Sequence, residues 1–153
     1  MATLTSLGLS VTLPDGWDGR IYQRRVATIE TQASTHPVLH AANFPLPMER
    51  GDFGSGAVER MGLDHVFVVL LEHHPSTAST PLFQQEGMAL PLGTDCFSPS
   101  RLQRALPGQS GTQFFFNEKG RAYALYVVLG SHAQRERLVP LANSVLQTVE
   151  IAG

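Results

Sequence analysis

The chain has 153 residues, the length of one domain, and 42% of them are hydrophobic while only 16% are charged. Its formal net charge is −2, so the chain lacks the excess of basic residues that drives binding to nucleic acid. The only cysteine, Cys96, cannot form an internal disulfide or a metal site of several thiolates. We therefore expect a single domain, residues 1–153, that is stabilised by an apolar core and has no specific nucleic acid among its partners.

The first residues lack the basic and apolar segments of a secretory signal peptide. The longest apolar runs, 66–71 and 122–129, are far shorter than the ~20 residues that a membrane-spanning helix needs. The sequence therefore predicts a cytoplasmic protein with no membrane span.

The N-terminal third alternates apolar and polar residues between turns, as short strands do. Leu7 to Leu13 alternates and ends at Pro14-Asp15-Gly16, which has strong turn chemistry. Gly19 to Arg25 follows as a second strand, so we expect an N-terminal hairpin. Trp17, just after the turn, is expected to be partly buried over the end of the sheet.

Three further elements are predicted in the middle of the chain. Pro37 to Phe44 is a third strand, and Asp52 to Met61 is a short helix with Ser55 as its N-cap. His65 to His73 is β-branched and too short for a typical helix, which predicts a central strand covered on both faces. The region from Leu82 to Leu106 is open between a helix, which Ser98 and Pro99 would begin, and an extended edge strand.

The C-terminal third predicts a hairpin and a long helix. Thr112 to Asn117 and Arg121 to Leu129 form the hairpin, which turns through residues 117–120. Ser131 is expected to cap the helix, and Pro140 predicts either a kink or a helix that begins near Arg137. The apolar stripe of this helix is Leu138, Leu141, Ala142, Val145, Leu146 and Val149. We expect it to pack on the sheet face that carries Phe67, Val69 or Leu71.

These elements together predict an α+β domain. It has a single antiparallel β-sheet of about six to seven strands, packed with the long C-terminal helix and one or two short helices.

Catalytic and metal-binding patterns are missing from the sequence. Glu72-His73-His74 is the densest titratable group, but adjacent residues of a strand face opposite sides, so the group is expected to be a strand end that reaches solvent. Ser110 lacks the glycine two residues later that a nucleophile elbow requires. Cys96 is expected to be a structural thiol. We therefore assign no catalytic, metal-binding or cofactor-binding residue.

Arginines are the candidate partner-binding residues. Arg20, Arg24 and Arg25 cluster near Tyr22, and Arg101 with Arg104 is expected to join them in space. Such a surface suits an acidic partner or an RNA backbone. The alternative is a charged edge strand that prevents aggregation between sheets.

The order of the elements resembles the Mog1/PsbP-like fold. The resemblance rests on the turn Leu13-Pro14-Asp15-Gly16-Trp17, the apolar middle strand, and a closing strand and helix, residues 123–130 and 143–149. It implies an α/β/α sandwich and a role as an adaptor, chaperone or assembly factor without catalysis, and it implies no site residues because the group shares a fold and not a site. The second half is also similar to actinobacterial proteins with the same Gly-Gln-Ser-Gly and Val-Leu-Gly-Ser segments.

Two functions follow as hypotheses. The first is a non-enzymatic protein-interaction module, an adaptor, chaperone or accessory subunit, that binds a partner chain or itself through a sheet face or edge. One observation that supports it is the run of three phenylalanines, residues 114–116. Side chains alternate along a strand, so at least one of the three lies on the opposite face, where a helix or a partner must cover it. The second is a small enzyme or ligand-binding domain with a pocket between sheet and helix, using His40, His65 or His73 with Tyr22 or an arginine.

Overall fold

A computed structural model describes residues 1–24 and 36–152, and in this part the chain forms two antiparallel sheets and one α-helix. The strands are β1 (Ala2–Ser6), β2 (Leu9–Leu13), β3 (Asp18–Arg24), β4 (His36–Ala42), β5 (Val66–His73), β6 (Ser110–Glu118), β7 (Arg121–Leu129) and β8 (Glu150–Ile151), and the helix α1 spans Arg135–Leu146. The smaller sheet has the order β1-β2-β8 and the larger one the order β3-β4-β5-β7-β6.

The prediction of a single sheet of six to seven strands is therefore wrong, and the cause lies in the first thirteen residues. Leu7 and Gly8 both have positive φ angles, 54° and 80°, so the chain reverses there and β1 pairs with β2. The other side of β2 pairs with β8. Since both neighbours of β2 belong to the smaller sheet, the expected hairpin between β2 and β3 does not form.

The turn after β2 transfers the chain from one sheet to the other. Gly16 has a φ of 85°, which favours glycine, and the Trp17 amide donates to the Pro14 carbonyl over 3.1 Å. Trp17 is half-buried against the core, as the sequence predicts.

The larger sheet contains the elements that the sequence predicts best. β4 and the central strand β5 lie where expected, and every residue of β5 except His73 is buried. β6 and β7 form the expected hairpin. Lys119 and Gly120 at its tip have φ angles of 53° and 77°, which match a type I′ turn.

The two faces of the larger sheet are covered by different structures. One face, with Val66, Val68 and Leu70 of β5, packs with α1 and the smaller sheet. The opposite face, with Phe67, Val69 and Leu71, packs with Phe44, Ala57 and Val58 of the connecting segments. The helix therefore lies on the face opposite to the one predicted. Because loops and not helices cover the second face, the expected α/β/α sandwich is also wrong.

Helix α1 presents its expected stripe to the core, but it ends at Leu146, so Val149 of that stripe lies beyond the helix. Leu138, Ala142, Val145 and Leu146 are buried, Leu141 is half-buried, and Val139 is buried as well. The helix begins at Arg135, two residues before the expected start, and contains Pro140, whose exposed ring faces away from the core. Ser131 precedes a 3₁₀ turn, His132–Gln134, and its side chain makes no capping hydrogen bond.

The other predicted helices are reduced to 3₁₀ turns. Only Val58–Arg60 is helical between 52 and 61, and Ser55 does not cap it. Between 82 and 106 the chain is neither helix nor strand, but has short 3₁₀ turns and two isolated bridges to β6. Over the described ranges, 1–24 and 36–152, no helix has the length and apolar character required to cross a membrane.

Candidate functional site

The structure separates the arginines that the sequence groups together. Arg20 and Tyr22 lie on β3, whereas Arg101 and Arg104 lie in the segment beside β6. β3 and β6 are the two edges of the larger sheet, four strand spacings or roughly 19 Å apart. Arg24 ends β3, and Arg25 lies outside the described residues.

The polar residues of β3 hold the loop that crosses the second face of the sheet. The Tyr22 hydroxyl donates to Asp52 Oδ1 over 2.7 Å, and Arg20 Nη2 donates to Met48 Sδ over 3.1 Å. A cavity of about 450 Å³ separates this loop from Gln103 and Arg104. Arg104 Nε lies 3.9 Å from Glu59 Oε1 at the surface. Arg104 thus approaches the loop that Tyr22 holds.

His40 is the central residue of this polar cluster. Its ring is fully buried between Tyr22 and Phe67, with ring centroids 5.3 Å and 5.1 Å away. Arg50 Nε donates to its Nδ1 over 2.8 Å, so Nε2 carries the proton and donates to the Asp52 carbonyl over 2.7 Å. Burial lowers the pKa of His40 from 6.5 to about 4, with the Arg50 charge acting in the same direction.

This arrangement gives His40 a structural role. A general base needs a free lone pair and a pKa near the working pH, whereas Nδ1 already accepts a hydrogen bond and the ring stays neutral well below pH 6. The cluster also lies on the loop-covered face and not between sheet and helix, where the ligand-binding hypothesis places its pocket.

His65 and His73, the other histidines of the ligand-binding hypothesis, make contacts elsewhere. His65 accepts from the Gly62 amide over 2.8 Å and stacks on Phe44 with centroids 4.8 Å apart. His73 lies 5.3 Å from the Phe83 ring. Within the part of the chain that the structure describes, no group of three or more histidine, cysteine or acidic side chains is placed to hold a metal ion.

Glu72 is buried, contrary to the expectation that this strand end reaches solvent. Arg121 donates to both of its carboxylate oxygens, over 3.1 Å and 2.6 Å, and also to the Ala152 carbonyl over 2.9 Å. The pair joins the larger sheet to the C-terminal strand, and its bidentate geometry indicates a structural contact.

The edge strand β6 has a different character, because its outer side is only partly covered. Near one end, Gly111 exchanges two main-chain hydrogen bonds of 3.0 Å with Ser98. Near the other end, the Asn117 amide donates to the Gln85 carbonyl over 2.7 Å, and the Gly87 amide donates to the Asn117 carbonyl over 2.8 Å. In an antiparallel strand alternate residues direct their main-chain groups to the same side. The odd-numbered residues of β6 therefore face away from β7.

Two odd-numbered residues, Gln113 and Phe115, lie between these covered ends. Among the residues with described positions, none pairs with their outward N–H and C=O groups. A cavity of about 420 Å³ lies beside them; its lining residues are Ser100, Arg101, Leu102, Gln103, Gln113 and Phe115. We call this cavity and the adjoining strand segment 113–115 the edge groove.

The wall of the edge groove is fixed by contacts of the 100–103 segment. The Gln103 amide donates to the hydroxyl of Tyr126 over 2.7 Å, and Gln103 Nε2 donates to Gln113 Oε1 over 3.2 Å. At Gly111, an added Cβ would lie 2.8 Å from the Leu102 side chain and 3.1 Å from the Arg101 carbonyl. Glycine at this position therefore permits the wall to approach β6.

The three consecutive phenylalanines divide between the faces, as alternation requires. Phe114 and Phe116 belong to the core that includes α1. Phe115 lies on the other face against Phe83, with ring centroids 5.6 Å apart. A 3₁₀ turn, Pro81–Phe83, covers it there, and not the helix or partner that the sequence leads us to expect.

Sequence reasoning missed Gln103 and Gln113 because neither belongs to a charged or aromatic cluster. The sequence does contain one signal for the groove. Gly108 and Gly111 lie at the start of the strand after Pro107, and glycine there favours the close approach of another segment.

No protein-family model matches this chain, and neither the curated proteins nor the solved structures contain a match to it. The resemblance to Mog1/PsbP-like proteins therefore stays a prediction from the sequence.

Proposed function

We propose that this protein is a non-enzymatic protein-interaction module that binds an extended segment of a partner chain along the edge groove. The observation that carries the proposal is the pair of residues, Gln113 and Phe115, whose outward main-chain groups lack a partner in the described structure. Such a row of donors and acceptors is complementary to another strand, and main-chain pairing of this kind is a recurrent mode of peptide recognition.

The length of the open segment limits what can bind. Six residue steps separate Gly111 from Asn117, which is roughly 20 Å at about 3.4 Å per residue. The covered ends take up part of this length. An added strand of three or four residues fits between them and forms up to four main-chain hydrogen bonds with Gln113 and Phe115.

The same geometry disfavours symmetric pairing of two β6 strands. The segments at Gln85, Gly87 and Ser98 occupy the position of the next strand at both ends of the groove. In a symmetric dimer those segments of both copies would collide before the two β6 strands reached the usual spacing of about 4.8 Å. The occupant we propose is therefore a flexible or protruding segment of another protein.

The test uses a substitution that removes one outward N–H without touching the contacts to β7. Gln113→Pro deletes the amide proton, and an edge strand tolerates proline where the N–H faces outward. Gln113→Ala is the matched control, because it removes the same side chain and its bond to Gln103 but keeps the amide.

The probe is a display library of random eight-residue linear peptides selected on the wild-type protein. Enriched peptides are then synthesised and titrated by fluorescence anisotropy. We expect them to bind the wild type and Gln113→Ala with similar affinity, and to bind Gln113→Pro at least about tenfold more weakly, since one main-chain hydrogen bond is lost and a carbonyl of the peptide is left unpaired. Equal binding to the proline variant, or no enrichment at all, would overturn the proposal.

We also propose a cytoplasmic setting for this interaction. Its support is the free thiol of Cys96, half-buried in the 3₁₀ turn Thr94–Cys96, which a reducing compartment would preserve. Fractionation of cells that express the tagged natural protein tests this, and recovery in a membrane or secreted fraction would contradict it.

A further inference from the structure

We propose that the segment bound in the edge groove carries an aspartate or glutamate side chain that pairs with Arg101. This inference rests on the proposed function and deepens it, since it names the chemical class of the occupant. Its basis is the charge balance of the groove and the way in which the Arg101 guanidinium is held.

Arg101 is positioned at the groove with most of its donors unused. Its Nη1 donates to the Cys96 carbonyl over 2.9 Å, which fixes one side of the guanidinium. Its other N–H groups make no hydrogen bond or ion pair with any residue that the structure describes. A guanidinium that is held on one side and open on the other is preorganised for a carboxylate, which it binds through two parallel hydrogen bonds.

The groove holds a positive charge that none of its described lining residues neutralises. The six lining residues include one cation and no anion. Arg104, three residues further along the same segment, adds a second exposed charge, and its contact with Glu59 is long at 3.9 Å. An acidic side chain is therefore attracted to the groove, and a basic one is repelled.

A polypeptide fits these observations better than a nucleic acid strand does. RNA also offers negative charge, but it has no main-chain N–H and C=O groups to pair with Gln113 and Phe115. Single-stranded nucleic acid usually stacks its bases on exposed aromatic faces. Among the described residues that line the groove, the one aromatic residue is Phe115, which already packs against Phe83.

The test uses defined probes. These are six-residue peptides of alternating threonine and valine, blocked at both termini and fluorescently labelled, that carry Glu, Gln or Lys at each position in turn. We expect the best glutamate peptide to bind the wild type about fivefold more tightly than its glutamine counterpart and more tightly still than its lysine counterpart, as for a partly exposed ion pair.

Arg101→Gln should reduce the difference between the glutamate and glutamine peptides to less than about twofold. Arg60→Gln is the matched control, because it removes the same charge from an exposed position outside the groove and should leave the difference unchanged. Circular dichroism checks that each variant is folded.

The outcomes separate the two proposals. If the glutamate, glutamine and lysine peptides bind the wild type equally, yet all lose affinity in Gln113→Pro, the acidic preference is overturned and the strand-binding function stands. If no peptide binds the wild type, both are overturned. A third outcome is that equimolar oligouridylate displaces the glutamate peptide from the wild type but not from Arg101→Gln. The occupant would then be a nucleic acid, and the inference would be overturned.

Discussion

At the scale of single residues, His40 is a titratable group whose hydrogen bonds hold a loop against the larger sheet. Its two ring nitrogens join Arg50 to the Asp52 carbonyl, and the Tyr22 hydroxyl holds the Asp52 side chain. The three contacts tie the 47–55 loop to β3 and β4. Because the ring is fully buried, protonation would place an uncompensated charge in the apolar layer next to Arg50.

This environment predicts a defined dependence of stability on pH. The pKa of His40 is about 4 in the folded protein and 6.5 without burial, so the unfolded state takes up the proton first as the pH falls. The stabilisation is full above pH 6.5 and is lost progressively between pH 6.5 and 4, on the order of 3 kcal/mol in total.

Urea unfolding at pH 7 and pH 4.5 measures this effect. The wild type should lose about 2–3 kcal/mol more than His40→Gln between these pH values, since glutamine can accept from Arg50 and donate to Asp52 but does not titrate. Identical pH dependence in the two proteins would mean that His40 is not buried in its neutral form.

At the scale of elements, periodicity predicts which residues of α1 are buried but not which sheet face they meet. The stripe ending at Leu146 follows from its spacing along the helix. β5, by contrast, is apolar on both faces, so its sequence carries no signal that distinguishes Val66, Val68 and Leu70 from Phe67, Val69 and Leu71. The choice between the faces depends on the smaller sheet, which covers the same side as the helix.

The orientation of α1 predicts that alanine substitutions at two adjacent residues change the stability by very different amounts. Leu146 is 1% exposed and Gln147 is exposed. Leu146→Ala should lower the free energy of unfolding by about 2–5 kcal/mol, whereas Gln147→Ala should change it by less than ~0.5 kcal/mol. Thermal unfolding followed by circular dichroism measures both, and equal melting temperatures would show that the helix orientation is wrong.

Thr148, two residues after the end of α1, makes a contact between the helix and the smaller sheet. Its hydroxyl accepts from the Thr12 amide over 3.0 Å and donates to the Val145 carbonyl over 2.7 Å. It thus ties the end of α1 to β2. Sequence spacing alone cannot reveal this contact, because its partners are 136 positions apart.

At the scale of the whole molecule, the topology depends on turns more than on strands. The sequence predicts β4, β5 and the β6–β7 hairpin because each is an apolar run that ends at polar or turn-forming residues. The division into two sheets depends on Leu7 and Gly8, whose positive φ angles reverse the chain so that residues 2–6, for which no strand is predicted, pair with β2. The edge groove could not be predicted, because identifying an edge requires knowing the order β3-β4-β5-β7-β6.

The two edges of the larger sheet also explain why the arginine cluster does not form. Arg20 lies on β3 and Arg101 lies in the segment beside β6, and three strands separate β3 from β6. Of the six predicted residues, Arg101 lines the edge groove, and Arg104 lies on the same segment. The proposed function therefore still places an acidic partner at a sheet edge, as predicted, but at the β6 edge alone and without the residues of β3.

Amide hydrogen exchange along β6 tests the central claim most directly. In the free protein, the amides of Thr112, Phe114 and Phe116 should exchange slowly, because they face β7, while those of Gln113 and Phe115 should exchange rapidly. Saturation with a peptide that binds the wild type should slow exchange at Gln113 and Phe115 at least about tenfold. Slow exchange of these two amides in the free protein, or rapid exchange that persists in the saturated complex, would contradict strand binding at the edge groove.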